Sequence, residues 1–175
     1  MQVRCAHLGA LALLLAAAPL TVAGPLAASQ AEAQLGQVDE QRDLEHFNLG
    51  KRNLAIEGYD PVAYFKEGGG KPRKGAKSIE LVHRGVRYRF ASEKNRELFK
   101  QQPARFEPLY GGWCAYAMSQ HEKGDVDPES FLVTDGELKL FYKGWFADNR
   151  KQWLKDPKGL KPKADAYWKT LTEKK

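Results

Sequence analysis

Few side chains in this 175-residue chain could carry chemistry. Cys114 is a soft donor, and His83 and His121 offer imidazoles. One thiolate with two imidazoles suits copper or zinc, because these metals favour sulfur and nitrogen ligands. Asp60 and Tyr59 are further oxygen donors for such a centre. Sequence separation says nothing about whether these groups meet in space. Cys114 also reads as a small buried hydrophobe beside Gly111-Gly112, where glycines permit a tight turn. As a nucleophile it would need a histidine within reach and an oriented third group, and no hydrolase signature accompanies it.

Tyr59, Asp60, Tyr64 and Asn95 make a second constellation. They suit a polar cleft for a small polar ligand, with Asp60 accepting hydrogen bonds and the phenols donating them. The alternative is that Asp60 caps a helical turn while the tyrosines pack with their hydroxyls satisfied. Two other motifs fail on inspection. Gly70 and Gly75 have the opening spacing of a phosphate-binding loop, but Ala76 stands where lysine is required. Asp125, Asp127 and Glu129 alternate like a calcium loop, yet Ser130 replaces the sixth-position glycine and no acid closes the loop. Asp127-Pro128 is therefore read as a cap or turn.

These side chains depend on elements that the pattern outlines. Leu54-Ala55-Ile56 is a short apolar run ended by Gly58, and Asp60-Pro61 opens a helical turn over Val62 to Phe65. Ser78–His83 and Val86–Ala91 alternate around Arg84-Gly85 as a β-hairpin. Ser92 caps a helix whose stripe is Leu98 and Phe99 and which Pro103 stops. Phe131–Thr134 and Leu138–Tyr142 flank Asp135-Gly136, a dipeptide suited to a type I′ turn. Phe146, Trp153 and Leu154, then Ala164, Trp168 and Leu171, recur at helical spacing between breakers near Pro157 and Pro162. The expected class is α+β, a small antiparallel sheet from two hairpins packed against several short helices.

Residues 1–33 carry Arg4, a Leu/Ala-rich stretch from Leu8 to about Ala18, and an Ala31-Glu32-Ala33 exit, the pattern of a secretory signal peptide. That apolar stretch is shorter than the ~20 residues of a membrane span, so no transmembrane segment is expected in the mature chain. Cys5 leaves with this segment, and Cys114 is then a single cysteine in a periplasmic or secreted protein. Residues 34–52 are polar and weakly periodic and read as a flexible leader, with the domain at 53–175.

The residues Gly58-Tyr59-Asp60-Pro61-Val62-Ala63-Tyr64-Phe65, Gly85-Val86-Arg87-Tyr88-Arg89-Phe90-Ala91-Ser92, Asn95, Phe99 and Pro103 resemble the YHS domain. Tyr110-Gly111-Gly112-Trp113-Cys114-Ala115-Tyr116 is similar to the exported, stand-alone branch of that family. The resemblance covers roughly residues 53–145. It implies metal handling, since such domains accompany copper-transporting ATPases and some oxygenase components, and many are thought to bind metals through cysteines. Here Ala63, Ala91 and Asn95 stand where those cysteines would fall, which removes the usual thiolate site.

Together these readings give a non-catalytic binding protein holding copper, zinc or iron, or a small polar ligand. The implied partner is an envelope protein or a metal-handling protein. The alternative is an envelope scaffold that docks through a basic C-terminal face, where Lys155, Lys158, Lys161, Lys163 and Lys169 cluster. A total of 28 Lys and Arg against 22 Asp and Glu gives a formal net charge of +6. Outside the cytoplasm that charge points to anionic envelope surfaces before nucleic acid.

Overall fold

A computed structural model describes residues 42–173 of the chain. The segment read as a signal peptide, and residues 34–41 of the leader, lie outside them. The fold is α+β. Strands β1 (Leu49–Gly50), β2 (Leu54–Ala55), β3 (Ala76–His83) and β4 (Val86–Phe90) form one sheet in the order β1-β2-β4-β3. The first hairpin is antiparallel as expected, but β2 joins β4 in parallel, so this sheet is mixed. β5 (Asp127–Thr134) and β6 (Glu137–Phe141) form a separate antiparallel pair. The turn between them has φ 57° at Asp135 and 75° at Gly136, the left-handed pair a type I′ turn demands.

Five α-helices are described: α1 (Glu93–Gln101), α2 (Pro103–Phe106), α3 (Ala115–Ser119), α4 (Asn149–Trp153) and α5 (Pro157–Thr172). The Ser92 hydroxyl accepts the Asn95 amide at 3.2 Å, which fixes the start of α1 and turns Phe99 fully into the core. Val86, Tyr88 and Phe90 alternate inward from β4 onto Phe99. Burying a side chain such as Phe99 contributes about 1.5–3 kcal/mol. A second cluster joins Cys114, Met118, Phe141, Trp153 and Ala164.

Three expectations need correction. Residues 42–52 are not a flexible leader: Arg42 pairs with Glu107, the Phe47 ring meets Trp168 edge-on at 5.6 Å, and β1 lies here. A two-residue strand carries too little periodicity to be read from sequence. Pro162 does not break the last helix but lies inside α5. Proline there forfeits a single N–H while the helix packs on through Ala164 and Trp168. Phe146 is not helical at all and is 97% exposed in a turn.

Candidate functional site

Asp60 and Asn95 are brought together as the sequence suggested. Asp60 is fully buried, and its Oδ1 accepts the amides of Val62 at 2.8 Å and Ala63 at 3.3 Å. Its Oδ2 accepts the Ala91 amide at 2.8 Å and the Asn95 side-chain amide at 2.6 Å. A carboxylate offers about four lone-pair sites, and all are occupied. The group ties the turn after Asp60 to the junction of β4 and α1.

Tyr59 and Tyr64 reach away from this carboxylate toward the start of β5. The Tyr64 hydroxyl donates to the Pro128 carbonyl at 2.9 Å, and burial pushes that phenol far above its usual pKa, so it remains a donor. The Tyr59 hydroxyl donates to Glu129 Oε1 at 3.2 Å, and Lys74 Nζ sits 4.1 Å from the Tyr59 ring centroid. Partial burial and then the Glu129 carboxylate raise the Tyr59 pKa. Asp60 and Asn95 thus make a buried clamp, while the two phenols are satisfied separately at the start of β5.

Cys114 is also fully buried. It precedes α3, and its sulfur accepts the Tyr142 amide at 3.3 Å and the Asn149 side-chain amide at 3.5 Å. His83, at the end of β3, meets the Phe99 ring edge-on at 6.0 Å, and His121 stacks on Tyr167 at 5.0 Å. Among the described residues no group of three or more His, Cys, Asp or Glu side chains is assembled to hold a metal ion. The set Cys114, His83 and His121 therefore does not fit copper, zinc or iron. The sulfur serves as a hydrogen-bond acceptor in the core.

The feature that sequence reading missed is a cavity of about 210 Å³ between β1, β2, β4, α2 and the turn at residues 109–112. Its polar end is a carboxylate cluster. Arg42 donates both terminal nitrogens to Glu107, Nη1 to Oε2 at 3.0 Å and Nη2 to Oε1 at 2.7 Å. The Tyr88 hydroxyl donates to the same Oε1 at 2.7 Å. Burial, then the nearby Glu107 charge, holds the Tyr88 phenol far above its usual pKa, so it stays protonated. Arg42 Nε is buried and has no hydrogen-bond partner among the described residues.

The apolar walls come from Phe47, Ala55, Ile56, Val86 and Leu109, with Trp168 closing from α5. On one wall Ile56 takes φ 48°, and on another Tyr110, Gly111 and Gly112 take φ 57°, 59° and 89°. A Cβ at Gly111 would crowd Trp168 and Phe47, so glycine permits this approach. The only available signals were Tyr88 on the hairpin and the double glycine, neither of which points to Arg42 or Glu107.

No protein-family model matches the chain, and no curated protein or solved structure matches it either.

Proposed function

We propose that the chain is an exported, non-catalytic binding protein of YHS type that holds a small polar ligand in the Arg42–Tyr88–Glu107 cavity. The observation that carries this reading is the cavity of about 210 Å³ whose lining sets the hydrogen-bonded Arg42, Tyr88 and Glu107 side chains beside apolar walls. At about 210 Å³ the space falls below the roughly 300–1,000 Å³ of drug-sized pockets, which restricts the ligand to a small molecule. The apolar walls would take its hydrocarbon part and the Arg42 end its acceptor.

Export rests on residues 1–33, and the YHS reading on the motif order from Gly58 to Tyr116. The basic C-terminal face is a weaker basis for the scaffold alternative. Lys161 is ion-paired with Asp165 at 2.9 Å and Glu137 at 3.3 Å, and Lys169 pairs with Glu173 at 3.6 Å.

Titration of ¹⁵N-labelled protein with small carboxylates and amides tests the cavity. Shifts concentrated at the amides of Asn48, Tyr88, Gly111 and Gly112, and lost in Arg42→Lys, are expected. Shifts scattered over the surface, or unchanged in Arg42→Lys, would refute the site.

A further inference from the structure

The segment after β6 shows aromatic side chains to water where the rest of the fold hides them. Trp145 is 93% exposed and Phe146 is 97% exposed. They are not on a loose loop. The Gly144 amide donates to the Ala147 carbonyl at 2.8 Å, Lys143 and Asp148 form an antiparallel bridge, and the Asn149 amide donates to the Tyr142 carbonyl at 3.0 Å. A Cβ at Gly144 would collide with the Tyr142 ring, so the turn is fitted closely to its neighbour. The base is pinned from inside, because Tyr142 and Asn149 both donate to the buried Cys114 sulfur.

The charge around this tip is mostly positive. Lys143 and Lys151 line the same shallow groove as Trp145 and Phe146. Arg150 and Lys155 lie in and just after α4. The carboxylates nearby in sequence, Asp148 and Asp156, are occupied as helix caps: Asp148 accepts the Lys151 amide at 3.3 Å and Asp156 the Gly159 amide at 2.9 Å. Asp148 also lies 3.7 Å from Lys151 Nζ.

We infer that this turn is a membrane-surface anchor, which inserts Trp145 and Phe146 among the headgroups of an anionic phospholipid bilayer while the lysines meet the lipid phosphates. Tryptophan favours the membrane–water interface, where its ring is apolar and its N–H is solvated. Apolar contact combined with basic residues is the mixture that holds peripheral proteins on anionic lipid. A second copy of the chain fits less well. Two aromatic side chains per copy, at about 150–250 Å² each, bury at most about 1,000 Å², below the roughly 1,200 Å² at which stable interfaces begin. This anchor stands independently of the cavity and shares no lining residue with it.

Flotation of the full chain with vesicles of phosphatidylcholine alone, and of phosphatidylcholine mixed with phosphatidylglycerol, provides the test. Comparing variants within the full chain cancels any contribution from residues 1–41. The wild type is expected to partition onto the phosphatidylglycerol vesicles at least about tenfold better than Trp145→Ser/Phe146→Ser. Lys143→Gln and Lys151→Gln should each lower binding about fivefold. Melting temperature should stay constant across the set, since all four side chains are exposed. Equal partitioning of wild type and tip variant would overturn the anchor. So would a wild-type dimer, seen by sedimentation equilibrium, that the tip variant dissolves while neither protein binds vesicles.

Discussion

The molecule contains two clusters built around a buried or half-buried carboxylate, and they differ in completeness. Asp60 is fully buried and spends all its acceptor sites on groups of its own chain. Glu107 is held by Arg42 and Tyr88 at the edge of about 210 Å³ of space, and the Arg42 Nε has no hydrogen-bond partner among the described residues. A completed network locks a fold, whereas an incomplete one beside a cavity keeps an interaction in reserve for something else. The sequence pattern drew attention to the first cluster, and the proposed binding site lies at the second.

The sharpest way to break this contrast is Asp60→Ala. It strands the Val62 and Ala91 amides and the Asn95 side chain, while the Ala63 amide keeps the Asp60 carbonyl, and should cost about 3–5 kcal/mol in urea unfolding. A loss under about 1 kcal/mol would mean the clamp is not structural. Glu107→Ala should cost less, about 2–3 kcal/mol, because it removes the acceptor of Arg42 and Tyr88 but strands no backbone amide. Arg42→Lys should cost less again in stability and yet abolish the cavity shifts, which separates binding from folding.

Cys114→Ala removes the acceptor shared by Tyr142 and Asn149, and should cost about 1–2 kcal/mol. In the native protein the Cys114 thiol should react with a maleimide at least about a hundredfold more slowly than in denaturant, since attack requires opening of the core. Prompt alkylation would contradict the burial seen here.

The smallest effect is expected at Glu80, on the outer face of the hairpin, bonded by Arg89 at 2.7 Å and Arg87 at 2.8 Å. Those two guanidinium hydrogen bonds hold its pKa below the ordinary carboxylate value. A depressed folded-state pKa contributes stability that is present above the unfolded value, about 4.3, and is lost as pH falls through the folded one. Glu80→Gln should therefore lower the melting temperature slightly at neutral pH and flatten its decline below about pH 4.3, so that the two proteins converge in acid.

The hairpins were readable because both signals are local, a period of two and a turn dipeptide at Arg84-Gly85 and at Asp135-Gly136. The α+β class followed from them. The metal set was not readable, since spacing along the chain gives no hint that His83 turns to Phe99 and His121 to Tyr167. The cavity was hidden for a related reason. Arg42 and Glu107 are 65 residues apart, and a long-range pairing leaves no periodic trace in either segment. Phe146 reads as part of a helical stripe with Trp153 because hydrophobicity alone does not distinguish a buried ring from a displayed one.

The left-handed backbone at Ile56 has a consequence for how the pocket could change over evolutionary or engineering time. A branched side chain at φ 48° resists that conformation, so neighbouring strands and turns must impose it. Replacement by glycine would relieve the local penalty but also free this wall to settle elsewhere. Ligand preference would then drift while the surrounding architecture stayed in place.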